Sequence, residues 1–373
     1  MATITSFELL PDRLALAWDD GVTSTYPWLW LRDHAHDEST LHPVTQQRQL
    51  HTASVDPSIT AASVAFADGD HADRLLITWL GEHRPSSLPV AFLEAFRTTR
   101  AARARIDIAR TLWDAESIRP TPTIAHDDVM SSDDALVEWL LLVATFGFAI
   151  VEGTPPTAAA TEALVRRVGY VRETIFGGFW EFTDDLSKAD TAYTNLELLS
   201  HTDGTYSHDA PGLQLLHCLH FDGTGGQSTM VDGFRIAAEL REHAPRHAEV
   251  LRNVAIPGQY IGDGAHLMSA RPVLRHDHTG ELVQVSYNHA DRAPFLLAHD
   301  EMVAVYDALH AFDRLANDVR LQWRHTLAPG EAMLFDNWRV LHGRAAYTGS
   351  RRLCGAYLNH EDFESRLRLA GQI

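Results

Sequence analysis

Ser200-His201-Thr202-Asp203-Gly204-Thr205-Tyr206 is the stretch on which the reading of the fold turns. In an extended backbone His201 and Asp203 fall on one face, because a strand repeats every two residues. An imidazole and a carboxylate aimed at one point are two parts of the facial triad of two His and one carboxylate that holds non-haem Fe(II). Alone the signal is weak, since a chain with 22 His produces an H-x-D triplet easily by chance. The question is whether the chain supplies the third ligand.

A second His-bearing element comes late. Asp336-Asn337-Trp338-Arg339-Val340-Leu341-His342-Gly343-Arg344 follows the apolar run Ala332 to Phe335. His342 ends an aliphatic pair and meets Gly343, where the backbone can approach a neighbour closely. By itself His342 reads equally well as a satisfied core or surface histidine; with His201 and Asp203 it completes a triad. Further on stand Ser350-Arg351-Arg352-Leu353. Adjacent arginines on a strand point to opposite faces, so one guanidinium faces inward, where its fork suits a carboxylate. Ser228, after Gly225-Gly226-Gln227, offers a hydroxyl to the same carboxylate.

The surrounding pattern is mainly β. Leu14 to Trp18, Ser24 to Leu31 (Tyr26, Trp28 and Trp30 at period two) and Leu75 to Leu80 read as strands of a small N-terminal domain, with a helix from Val90 to Thr99. Residues 106 to 131 read as irregular, and a domain boundary is expected at 108/109. Ser131 to Asp134 caps a helix that Gly147 stops, Phe148 to Glu152 is a buried strand, and Ala158 to Val168 a second helix. Beyond 170, strands at 213–220, 282–287, 332–335 and 353–357 alternate with helices at 233–242, 244–252 and 299–316. Many strands after a helical entry predict an α+β chain: a jelly-roll (double-stranded β-helix) catalytic domain over 109–373, helices packed outside, behind a small β-rich domain over 1–108.

Bulk properties narrow the function classes. A composition that is 45% hydrophobic and 22% charged is globular, and a net charge of −19 argues against nucleic acid as a partner. The most apolar run, 136–151, is broken by Glu138 and Gly147 and falls short of the ~18 residues of a membrane span, so no membrane partner is expected. The N-terminus lacks a basic start and apolar run, and two cysteines, Cys218 and Cys354, make a poor disulfide framework; a cytoplasmic protein with free thiols is expected.

The H-T-D triplet, Gly225 to Phe234 (G-G-x-S-x-x-V-D-G-F), Phe335 to Arg344 (F-D-N-W-R-x-L-H-G-R) and the Arg beyond it together resemble the γ-butyrobetaine/trimethyllysine dioxygenase family, Fe(II)- and 2-oxoglutarate-dependent hydroxylases. The resemblance runs nearly the whole chain, including Trp28 to Val55. Arg172 to Ile175, Asp190 to Thr194, His201 to Tyr206 and Arg352 to Leu358 look closest to the trimethyllysine branch. The resemblance implies that His201, Asp203 and His342 bind iron and that Arg351, with Ser228 nearby, pairs the distal carboxylate of 2-oxoglutarate. It also implies a homodimer and a small zwitterionic substrate carrying a trimethylammonium group. A quaternary ammonium cannot be hydrogen-bonded and is held by aromatic faces. Phe176, Trp180, Tyr193 and Tyr357 fall where the family builds such a cage, with Asp190 as a counter-charge and Tyr206 beside it.

Three departures from the family pattern stand out. Asn288 is kept where relatives read N-N, but His289 replaces the second Asn, a change that would suit a phosphonate if the imidazole were charged. Both residues are expected at the substrate's anionic end. Gly204 leaves more room beside the iron than a bulkier residue would. Ala35, Asp37 and Thr40 stand where relatives carry zinc-binding cysteines, which argues against an N-terminal zinc although His34, His36, His42 and His83 remain. The alternative reading is a cupin-like metal barrel acting as hydrolase or isomerase; Arg351 discriminates, because such an enzyme needs no anchor for 2-oxoglutarate.

Overall fold

The computed structural model describes residues 2–69, 72–82, 84–97, 108–182, 194–262 and 264–371. The chain divides into two compact units, Met1–Ala102 and Arg103–Ile373.

The first unit holds two three-stranded antiparallel sheets. One joins Ile4–Leu9, Arg13–Trp18 and Thr23–Pro27; the other joins Ala61–Phe66, Arg74–Trp79 and Ser86–Pro89. Its core gathers Leu14, Leu16, Trp18, Trp28, Leu31, Leu75, Ile77 and Trp79. The buried indoles keep their N–H groups satisfied: Trp18 donates to Ser24 at 2.8 Å and Trp79 to Ser86 at 2.9 Å. The expected strand through Leu31 ends early. Pro27 has no N–H to continue the ladder, and Trp28–Asp33 turns into a helix. Where relatives carry cysteine, Thr40 is buried and accepts from Arg32 Nη1 at 3.0 Å, while Arg32 Nε donates to Glu82. The predicted helix from Val90 is confined to Val90–Ala95; the end of the predicted span and His83 lie outside the described residues.

The second unit is a sandwich of two sheets. In the major sheet Phe179–Phe182, Tyr347–Leu358, Leu213–Gly225, Ala332–Asp336, Phe148–Glu152 and Thr123–Ala125 lie side by side, with Val171–Arg172 also paired to Tyr347–Leu358. The minor sheet has the order Leu198–His201, Val340–Arg344, Ser228–Asp232, Gln322–His325. Period-two alternation sorts the residues. On the major sheet Ala149, Val151, Leu213, Leu215, Ala332 and Leu334 face the helices Asp133–Phe146, Ala158–Val168 and His360–Leu369. Their neighbours Phe148, Ile150, Met333 and Phe335 turn inward and meet Met230, Trp323 and Val340 from the minor sheet. The outer face of the minor sheet packs on Gly233–His243, Pro245–Asn253 and His299–Ala316. No helix among the described residues is long and apolar enough to cross a membrane.

Local chemistry explains the helical entry. Ser132 accepts the Ala135 N–H at 3.3 Å, Asp133 and Asp134 sit at the positive helix end, and Gly147 closes it at φ +85°. One helix, His126–Ser131, lies where the sequence reads as irregular. The long hairpin Ala255–Gly262/Ala265–Pro272 is also absent from the sequence reading. Pro257, Gly258 and Gly262 lower its strand signal, and a two-stranded ribbon tolerates them because it has no central strand. Between the sheets and their connections, Arg339 and Asp232 form a buried ion pair at 2.8 Å. Arg339 also donates to the carbonyls of Thr111 and Thr145, at 2.6 and 2.9 Å. This pins the loop that leads into His342.

Candidate active site

The two histidines are brought together by strand register. His201 pairs directly with His342 across adjacent strands of the minor sheet, and His342 pairs with Met230 on its other side. The imidazole centroids are 4.4 Å apart. The close approach depends on Gly343, where a Cβ would stand 2.6 Å from the Leu198 carbonyl. Asp203 arrives differently from the sequence expectation. The strand ends at His201, so Asp203 is not a strand residue two positions on. Asn337 holds it: its Oδ1 accepts the Asp203 N–H at 2.8 Å, and its Nδ2 donates to the carbonyls of Asp203 (3.1 Å) and Pro211 (2.9 Å). Gly204 follows at φ +73°, turning the chain away.

His201 Nε2 lies 3.5 Å from Asp203 Oδ1, and His342 Nε2 lies 3.6 Å from Asp203 Oδ2. One potential ligand atom from each residue falls within 4.8 Å of the others, the only His/Cys/Asp/Glu group of that kind among the described residues. The Nδ1–H of His201 donates to the Leu199 carbonyl at 2.7 Å, which fixes the tautomer and leaves the Nε2 lone pair toward the carboxylate. Burial opposes ionisation of Asp203, but the imidazoles of His342 and His201 outweigh it and hold the carboxyl well below its usual range. Burial, with repulsion from His201, lowers His342, which favours the neutral ligand form. Two imidazoles that can each offer Nε2 and one ionised carboxylate are the donor set of a non-haem Fe(II) site, and the residues fit that ion.

Arg351 and Ser228 both lie between the sheets. Arg351 is buried while Arg352 is exposed, as alternation requires. Its guanidinium lies 5.7 Å from the centroid of the Tyr347 ring, and Arg344 lies 5.0 Å from the same ring. Ser228 is buried directly opposite Arg344 in the minor sheet. Arg344, two residues past His342, is a cation the sequence reading passed over, although the H-G-R ending carried it. Its guanidinium donates to the carbonyls of Thr194 and Leu196.

Beside the triad opens a cavity of about 180 Å³ lined by Arg172, Phe176, Gly204, Tyr206, Leu267 and Tyr357, among others. Phe176 meets Tyr260 edge-on at 5.6 Å, Tyr206 meets Tyr260 at 5.4 Å, and Trp180 meets Tyr357 edge-on at 5.4 Å. Tyr260, on the unanticipated hairpin, thus joins the aromatic group. Asp190 and Tyr193 lie outside the described residues.

Asn288 and His289 border a small pocket together with Thr205, Tyr287 and Arg292. The Asn288 side chain is engaged within its own loop, accepting from Ala290 N and donating to Asp291 Oδ2, each at 2.9 Å. Burial and repulsion from His201 push the His289 imidazole below its ordinary value. Asp291, absent from the sequence reading, also accepts from Thr205 at 3.2 Å and helps raise His201, although the hydrogen bond with Asp203 is the strongest force in that direction.

Set against known protein families, residues 108–357 match the taurine catabolism dioxygenase TauD, TfdA family, and residues 10–93 match the γ-butyrobetaine hydroxylase-like N-terminal family. A trimethyllysine dioxygenase of Meyerozyma guilliermondii is 35% identical, over 96% of this chain and 93% of its own. A γ-butyrobetaine dioxygenase of Pseudomonas sp. (strain AK-1) is 31% identical, over 95% and 92%. A solved Burkholderia xenovorans structure assigned to the α-ketoglutarate-dependent taurine dioxygenases superposes with a TM-score of 0.50 at 14% identity, covering 68% of this chain and 92% of that one, which bears on the fold alone. The sandwich, the triad and these matches agree, and the protein belongs to the TauD/TfdA family of iron- and 2-oxoglutarate-dependent dioxygenases.

Proposed function

We propose that the chain hydroxylates a small trimethylammonium zwitterion of the trimethyllysine or γ-butyrobetaine type. The observation that carries this is the aromatic lining of the cavity that adjoins the triad. Phe176, Tyr206 and Tyr357 border it, and Trp180 and Tyr260 back those rings. Ring faces attract a cation that offers no hydrogen to donate. The curated relatives named for those two substrates support the same reading.

In this reading His201, Asp203 and His342 hold Fe(II), and Arg351 with Ser228 receives the distal carboxylate of 2-oxoglutarate. The iron, with 2-oxoglutarate and O2, supplies the oxidation: one oxygen atom enters the substrate and the other leaves in succinate, with loss of CO2. The protein's part is placement. Asn337 orients Asp203 through its backbone. The Leu199 carbonyl holds the His201 tautomer. The apolar layer of Phe335 and Met230 shields the inner side of His342 from water. By holding the cation, the aromatic wall would fix which C–H bond of the substrate faces the metal.

A hydrolase or isomerase of cupin type has no feature in its favour, since it leaves the inward Arg351 without a role. The experiment is succinate release with Fe(II), O2 and 2-oxoglutarate across γ-butyrobetaine, trimethyllysine, trimethylaminoethylphosphonate and their unmethylated analogues. Stimulation only by the methylated compounds is expected. Equal stimulation by unmethylated analogues would defeat the cage.

A further inference from the structure

Tyr357 touches two things at once. Its ring borders the cavity, and its hydroxyl donates to Asp203 Oδ2 at 2.8 Å. It lies on Tyr347–Leu358, where alternation also turns Arg351, Leu353 and Gly355 inward. That single strand therefore runs from the residue read as the cosubstrate anchor to the wall of the substrate cavity. The ring is not free to move alone. It packs edge-on against Trp180, and Trp180 stands close against Gly355, where a Cβ would come within 2.2 Å of the indole. A phenylalanine would serve equally as a cage wall. The hydroxyl is the extra feature, and it is spent on a carboxylate oxygen.

We infer that Tyr357 is a positioning residue that couples occupancy of the substrate cavity to the geometry of Asp203. The inference rests on the reading of the triad as the iron site. A carboxylate can rotate about its terminal torsion and exchange its two oxygens. Asn337 fixes only the Asp203 backbone; the carboxylate oxygens face His201 Nε2 at 3.5 Å and His342 Nε2 at 3.6 Å, and the Tyr357 phenol adds a closer hydrogen bond to Oδ2, at 2.8 Å, that holds the carboxylate plane. Hydrogen bonds of this outer kind govern how tightly a metal is held. A cation seated against the aromatic wall presses on the Tyr357 ring, and any shift of the ring carries the O–H with it. The iron then experiences a different ligand with the substrate present than without it, which ties cosubstrate consumption to the presence of substrate.

The test is Tyr357→Phe, which keeps the ring and removes the donor. Fe(II) affinity is measured anaerobically by quenching of tryptophan fluorescence, without 2-oxoglutarate or substrate. Affinity is expected to fall roughly tenfold to a hundredfold, while binding of trimethyllysine or γ-butyrobetaine changes less than about threefold. Succinate formed per hydroxylated product should rise. Tyr357→Leu should weaken substrate binding as well. Fe(II) affinity of Y357F within twofold of the parent, at unchanged coupling, would overturn the inference and leave the iron reading intact. No Fe(II) binding by the parent would overturn both. If the variant fails to fold, the parent decides: reciprocity requires saturating trimethyllysine or γ-butyrobetaine to alter Fe(II) affinity, and no change with either would refute the coupling.

Discussion

The triad and the cavity beside it are neighbours built by different means. His201 and His342 stand on hydrogen-bonded strands whose register places them opposite each other. The cavity wall is assembled from the segment 172–176, the turn after Asp203, a two-stranded hairpin and one inward residue of the major sheet. A ladder fixes side chains to within a fraction of a residue step, because a slip of one position would reverse every face. A wall made of separate segments can exchange one ring for another without disturbing the sheets. The metal site is therefore intolerant of change, and the cavity is where substrate preference can drift.

Substitutions can break this contrast, beginning with the most severe. His201→Ala or Asp203→Ala is expected to reduce substrate-dependent succinate release to background while the far-ultraviolet circular dichroism is retained. Turnover surviving either change would remove the triad from the reaction. Next is Arg339→Met, which strands Asp232 as a buried charge without its partner. A loss of about 3–5 kcal/mol is expected in urea unfolding. A loss below about 1 kcal/mol would mean that the loop into His342 is held by packing instead.

A third prediction concerns pH. Burial, aided by repulsion from His126 and opposed by Thr154, lowers the His217 imidazole to about 4, and its Nδ1 pairs with Thr161 Oγ1 at 2.8 Å. The folded state thus refuses a proton that the unfolded chain accepts near pH 6.5. Stability is full above that pH and declines as pH falls from about 6.5 toward 4, by up to roughly 3 kcal/mol. Unfolding midpoints across that range test it: His217→Gln should flatten the acid limb, and an unchanged slope would show that other groups carry it. The smallest effect belongs to the cavity. Tyr260→Leu or Phe176→Leu should raise KM for the trimethylammonium substrate about five- to thirtyfold, at unchanged KM for 2-oxoglutarate. Equal rises in both would mean that the wall supports the whole site and not the cation alone.

The chain order of the triad, Arg351 and the apolar alternation of the major-sheet strands were legible because each is a local pattern. Helix starts such as Ser132 and stops such as Gly147 were legible for the same reason: the atoms that satisfy a helix end lie within four residues of it. Three features were not. Pro27 turned an expected strand into a helix. The hairpin 255–272 hid behind Pro257 and its glycines. Asn337, 134 residues from Asp203, gave no local sign that it holds it.

What the sequence determined alone is the identity of the metal donors and the period of the strands that carry them. Donor type is a property of the side chain, and period a property of the covalent backbone. Only the tertiary structure decided that Asp203 is set by Asn337 and Tyr357 rather than by its own strand. It also decided that Tyr260 backs the rings that line the cavity. Each of these depends on burial and on groups distant in the chain, and desolvation and contact exist only once the sheets have closed on one another.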